Sequence, residues 1–357
     1  MQRVISGIQQ VGVGIPDIHE AWRWYRKYFS MDIAAFDDEG RAELMLPYTG
    51  GQPQARHAIL ALNMKGGGGF EIWQYKSRKP EPAQFEVLLG DLGIFVLKIK
   101  TENIEATHAY FKTEGLNVSD KSYKDPSGFK HFFVKDPYGN IFQLVENNNW
   151  FIKNNDLTGG ADGVIIGVSD IEKSVRFYSE ILGYDKILYD VQGKQDDFEF
   201  IPGGKNTYRR ILLAHSKPRQ GAFSKLFGDS KIELVQAIDR DAKKIFDNRY
   251  WGDLGFIHLC FDIAGMENFR TECSDMGHPF TVDSSKKTNG NSFDMGEAAG
   301  DFAYIEDPDG TLIELVEAHR IPLVKKLGWN LNLQKRDRTK SLPNWMVKML
   351  SLKRVKD

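Results

Sequence analysis

A short motif occurs twice in this chain and fixes its architecture more firmly than any other feature. KDPYGNIFQLVE spans Lys135–Glu146 and EDPDGTLIELVE spans Glu306–Glu317. They agree at Asp136/Asp307, Pro137/Pro308, Gly139/Gly310, Leu144/Leu315, Val145/Val316 and Glu146/Glu317. Asp-Pro-x-Gly is good turn chemistry, and the apolar run after it reads as a strand. A recurring unit of this kind has to be settled before any fold is assigned. Upstream, Val11–Ile15 and Val164–Val168 are short apolar strands, each followed by an aspartate suited to cap a helix, Asp17 and Asp170. The apolar positions Ile18, Trp22, Tyr25 and Phe29 then match Ile171, Val175, Tyr178 and Leu182, both at amphipathic-helix spacing. Phe70–Gln74 pairs in the same way with Ile232–Gln236.

Each half divides once more. Gly93–Lys100 reads as a strand before a helix with Ile104, His108 and Phe111 on one face. Phe256–Ile263 precedes a helix carrying Met266, Phe269, Cys273 and Met276. The chain therefore predicts an α+β protein of four βαβββ modules in two tandem pairs. Residues 1–148 form the first, 149–160 a linker, 161–320 the second, and 321–357 a basic tail.

Strand alternation places Glu314 on the face of Leu312 and Val316, opposite Ile313 and Leu315. His258 shares a face with Cys260 and Asp262, and Glu233 with Val235. Carboxylates facing a partly dry interior are costly unless paired or bound to a cation. Glu233 has arginines nearby in sequence with which it could pair, Arg209 and Arg210.

The order of elements, with Asp-Pro-x-Gly before each last strand, resembles the vicinal oxygen chelate superfamily, which includes glyoxalase I, extradiol dioxygenases and 4-hydroxyphenylpyruvate dioxygenase. The resemblance covers about residues 5–320. It implies that two modules close a curved sheet around a metal ion, with ligands on the first and last strand of each. In the second half those positions hold Gly163, Glu233, His258 and Glu314; in the first they hold Gln10, Glu71, Val96 and Gln143. Valine cannot ligate, so the first half reads as a degenerate copy and Glu233, His258 and Glu314 as the metal set. Gly163 leaves a gap that water or Asp262 would fill. Two carboxylates and an imidazole suit Fe, Mn, Ni, Zn or Mg and leave positions open for substrate. Metal binding should weaken below about pH 6.5 as the imidazole protonates.

The resemblance implies glyoxalase- or epimerase-like chemistry by chelation and proton transfer, a lyase or isomerase with Glu314 or Glu233 as base. The alternatives are an Fe(II) dioxygenase, whose first histidine would fall on Gly163, and a metal-free small-molecule binding protein. Arg209, Arg210 and His215 are candidate substrate contacts, although alternation sends only one of the two arginines inward.

A net charge of −2 makes no case for nucleic acid, so the expected partner is a small-molecule substrate. Cys260 and Cys273 both sit in apolar patterns, as expected of free thiols in a reducing cytoplasm. The N-terminal segment lacks a signal-peptide core, and no stretch approaches a membrane span. Lys65–Gly69 lacks phosphate-loop spacing and reads as a hairpin loop; Asn289–Gly300 is either a lid or an ordinary connection. Residues 318–357 carry a net +9 against −11 for the remainder. Their amphipathic run, with Trp345, Met349 and Leu352 on one face, would pack on the acidic body, form a homodimer contact, or lie on an anionic membrane surface. In 4-hydroxyphenylpyruvate dioxygenases a C-terminal helix closes the active site, and the resemblance extends that role to this tail.

Overall fold

A computed structural model describes residues 3–286, 293–294, 299–324 and 329–355. The first module contains β1 (Val4–Gly14), α1 (Ile18–Phe29), β2 (Ile33–Arg41), β3 (Ala55–Leu62) and β4 (Gly69–Tyr75). The second contains β5 (Gly93–Thr101), α2 (Ile104–Thr113), β6 (Asn117–Val118), β7 (Tyr123–Lys124), β8 (Lys130–Lys135) and β9 (Ile141–Glu146). The third has β10 (Thr158–Gly167), α3 (Ile171–Glu180), β11 (Lys186–Lys194), β12 (Thr207–Ala214), α4 (Ser224–Phe227) and β13 (Lys231–Ala237). The fourth has β14 (Gly255–Ala264), α5 (Met266–Asp275), β15 (Val282–Asp283), β16 (Phe293–Asp294), β17 (Ala299–Glu306) and β18 (Leu312–Val324). β19 (Trp329–Asn332) and α6 (Asn344–Lys348) follow.

Local signals act as read. Asp17 Oδ1 accepts from the backbone of His19 and Glu20 at 3.0 and 2.9 Å, and Asp170 Oδ1 from Lys173 at 3.1 Å. In the repeated turns, Asp136 Oδ1 accepts from the amides of Tyr138 and Asn140, and Asp307 Oδ1 from those of Asp309 and Thr311. Gly139 and Gly310 sit at φ of 88° and 91°, a region hostile to a side chain. The other oxygen of each aspartate meets a helix of the preceding module. Tyr25 donates to Asp136 at 2.7 Å and Tyr178 to Asp307 at 3.0 Å. The repeat thus ties the first module to the second and the third to the fourth.

The sheets follow a different pairing. One runs β15-β17-β18-β14-β1-β4-β3-β2 and the other β11-β12-β13-β10-β5-β9-β8-β6. The first and fourth modules therefore share one curved sheet, and the second and third share the other. Antiparallel β1–β14 pairing sets Gly12 opposite His258 and Gln10 opposite Cys260. Neither cup belongs to one half of the sequence, which corrects the expectation that residues 1–148 and 161–320 each close a cup alone. A large core of Val11, Val13, Leu97, Ile99 and the inner faces of the helices fills the space between the sheets. The glycine run is ordered against the start of β10: Gly160 donates to Gly66 at 2.8 Å and Ala161 to Gly68 at 2.7 Å. β10 begins at Thr158, within the segment read as linker.

The tail packs on the body. Leu342 and Val347 are buried with Ile33, Leu60, Leu62, Leu226 and Phe227, while Trp345 is exposed. Most of Asn289–Gly300 lies outside the described residues. No described helix is long and apolar enough to cross a membrane.

Candidate active site

The cross-paired sheets sort the eight ligand positions in a way neither half foretells. The cup of the first and fourth modules collects Gln10, Glu71, His258 and Glu314, each able to ligate. The cup of the second and third collects Val96, Gln143, Gly163 and Glu233.

In the first cup, β14 pairs in parallel with β18, setting Cys260 beside Glu314, and β1 with β4, setting Gly12 beside Glu71. His258 Nε2 lies 3.1 Å from Glu314 Oε2 and 3.3 Å from Glu71 Oε2. Gln10 Nε2 donates to Glu314 Oε2 at 3.3 Å. Ligand atoms of Glu71, His258 and Glu314 lie within 4.8 Å of one another. The imidazole is fully buried, stacked against Trp251 at 6.0 Å between ring centres and edge-on to Tyr304 at 5.7 Å. It lies over Gly12, where a Cβ would fall 2.4 Å from its Cε1, so glycine makes room for the ring.

Burial alone would depress the His258 pKa, but Glu314 and Glu71 outweigh it and raise it to about 9. Burial likewise opposes ionisation of Glu314, yet His258 leaves its carboxyl below the usual range. Among the described residues, both ring nitrogens of His258 and Oε1 of Gln10 are buried without a well-formed hydrogen bond. Buried polar atoms are rarely left in that state. A half-turn of the Gln10 amide presents Oε1 where Nε2 now meets Glu314. The set fits a divalent cation: two carboxylates, an imidazole and an amide oxygen, converging at one point and open to a cavity.

Glu233 is not part of that group. It lies in the other cup, where Lys98 donates to it at 2.7 Å, Tyr189 at 2.7 Å and Arg210 Nε at 2.6 Å. Arg210 also grips both oxygens of Asp197 at 2.8 Å, and Lys98 binds Gln143 Oε1 at 2.6 Å. Burial opposes the Glu233 charge, but Arg210 and Lys98 hold its pKa down at about 2. Protein cations thus fill the place where a metal was expected beside Glu233. The cause is topological: β13 pairs with β10 and β12, so it never meets β14 or β18.

The expected substrate contacts also lie elsewhere. Arg210 is wholly buried in that ion network, while Arg209 is on the outer face, bound to Asp190 and Glu172. His215 Nδ1 meets Lys217 O at 2.8 Å and stands outside the Glu71–His258–Glu314 group. Asp262 is buried with a pKa pushed up to about 7, mainly by burial, and stands outside the converging set. Both cysteines are free and buried. Sequence reasoning placed Gln10 and Glu71 in the degenerate copy. The missed signal was arithmetic: each half lacks a ligand, and only pairing the first module with the fourth gives a full set.

Paired βαβββ modules whose curved sheets present facing end-strand side chains define the class of this protein as a vicinal oxygen chelate fold. The chain belongs to the Glyoxalase/Bleomycin resistance protein/Dioxygenase superfamily, one family model matching residues 7–144 and another residues 162–294. It is 25% identical over 306 residues to a lactoylglutathione lyase of Schizosaccharomyces pombe, covering 84% of this chain and 87% of that protein. Its fold is similar to that of glyoxalase I from Zea mays, with a TM-score of 0.55 at 14% identity, covering 99% of this chain and 96% of that one.

Proposed function

We propose that this protein is a divalent-metal-dependent enzyme that moves a proton on a small oxygen-rich substrate, as a lyase or isomerase. The observation that carries this reading is the convergence of Glu71, His258 and Glu314 within 4.8 Å, beside a buried Gln10 oxygen without a partner among the described residues. Gln10, Glu71, His258 and Glu314 would hold the ion. When bound, it would supply a Lewis acid for two neighbouring substrate oxygens, favouring loss of a proton from the carbon beside them. Glu314 and Glu71 both line the cavity. Glu314 takes the proton and returns it to the neighbouring carbon, while Gln10 and His258 steer its carboxylate. Trp251 and Tyr304 pack on the His258 ring and screen that side of the site from water. Similarity to a lactoylglutathione lyase favours this chemistry over oxygen activation. The donor set also carries one histidine, where the two-histidine, one-carboxylate iron site of oxygenases needs two.

The direct test is elemental analysis of the purified chain together with a proton-exchange assay on 2-hydroxycarbonyl compounds. Chelation should abolish exchange, and one divalent ion per chain should restore it. A chain that binds no divalent ion and catalyses no exchange overturns the reading.

Two further results are expected. With a His258 pKa of about 9, the ring carries a proton that the ion must displace. Metal affinity should rise about tenfold per pH unit from about 7 to about 9 and then level off, a window well above that of an ordinary histidine. A titration against a competing chelator at several pH values measures it. Gly12→Ala would put a methyl group 2.4 Å from the imidazole, so the ring must move. Its metal affinity should fall by about tenfold or more with the fold retained. Unchanged affinity would show that the ring does not serve the ion where it stands.

A further inference from the structure

The site opens into a cavity of about 940 Å³, bounded by β2 and β3 on one side and by the C-terminal segment on the other. Its inner end is Gln10, Glu71 and Glu314; its outer part is walled by Leu60, Leu62, Leu226, Phe227, Met346 and Leu350. Leu60 and Leu62 belong to one buried cluster with Leu226, Phe227, Leu342 and Val347, so the tail supplies one wall of an apolar passage. Ligand pockets of this size combine an apolar lining with a few convergent polar groups, and here the polar groups lie at one end.

The cations at the rim are already engaged. Arg56 pairs with Asp38 at 2.8 Å, Arg41 with Glu43 at 3.3 Å, and Lys353 donates to the Ala35 carbonyl at 2.7 Å. An arm bearing several carboxylates would have to break these pairs, whereas an alkyl chain needs only the apolar wall. Unbranched methionine side chains such as Met346 fit such a chain without a fixed shape.

We propose that the substrate carries a long aliphatic arm, which runs from the chelated oxygens along the passage between β3 and the C-terminal segment. This rests on the metal site proposed above. The enzyme would therefore favour an oxygenated head on an alkyl chain over a charged thiol-peptide conjugate.

The test is binding of a hydroxamate series, from acetohydroxamate to dodecanohydroxamate, to the full metal-loaded chain and to the metal-free chain by calorimetry. Affinity should rise by up to about fourfold per added methylene until the passage is full. Leu60→Trp and Met346→Lys, on opposite walls, should each remove most of that gain while leaving acetohydroxamate binding unchanged; two variants keep the test decisive if one fails to fold. A flat series overturns the proposal. So does tighter binding of a glutathione hydroxamate than of the dodecyl compound, or a gain untouched by both variants. Failure of the metal reading shows separately, as acetohydroxamate binding that does not depend on metal. A length dependence that persists without metal still supports the aliphatic arm.

Discussion

His258→Ala is expected to lower divalent-metal affinity by more than about 100-fold, and Glu233→Gln to leave it unchanged. The imidazole stands between the two carboxylates, 3.1 Å from Glu314 and 3.3 Å from Glu71. Without it, the two carboxylates face each other with no imidazole nitrogen between them. Glu233 reaches no atom of that group, since its oxygens are taken by Lys98, Tyr189 and Arg210. Metal content of the two purified variants decides the matter. Loss of metal from both would restore the set Glu233, His258 and Glu314 that the second half suggests by itself. Glu71→Gln supplies the reciprocal check: it should weaken binding although Glu71 lies in the half read as degenerate.

Arg210→Met should be the most destabilising single change in the second cup, costing about 3–5 kcal/mol, the usual effect of removing one partner of a buried ion pair. Arg210 is wholly buried and serves both Glu233 and Asp197, so methionine strands two carboxylates with Lys98 as the remaining close cation. The midpoint of urea unfolding measures the loss, and metal affinity in the other cup should not follow it. The pH dependence has a definite sign. The Glu233 pKa in the fold is about 2, below its ordinary value of 4.5, so its contribution is full above that value and is lost as pH falls through about 2. In Arg210→Met the carboxyl should titrate higher, so acid unfolding should begin at higher pH than in the parent chain. Identical acid profiles would mean that Arg210 does not hold the charge.

Much of this protein is legible residue by residue. Asp17 and Asp170 cap the helices that follow them, and the Asp-Pro-x-Gly turns close as their composition requires. Their second role, gripping Tyr25 and Tyr178, was present in the repeat as matched positions but could not be read without the third dimension. Alternation put His258 and Glu314 on inward faces, and both are there. The same rule made Arg209 and Arg210 face opposite ways, yet it gave no means of knowing that the inward one meets Glu233 instead of a substrate. The tail's apolar run was visible, yet Leu342 and Val347 are buried while Trp345 and Leu352 stay exposed, and the cavity the tail borders could not be read at all.

The modules follow from local rules, because strand alternation, helix periodicity and turn chemistry act over a few residues. Alternation also turns Glu233, His258 and Glu314 inward. Which modules share a sheet was decided only in the tertiary structure. Backbone hydrogen bonding at the open edge of a first strand is nearly blind to sequence, so β1 has no local instruction to choose β14 over β5. That choice belongs to the packing of the two sheets around their shared helices. It separates Glu233 from His258 and brings Gln10 and Glu71 to Glu314, turning two incomplete ligand sets into one full set and one ion-filled cup.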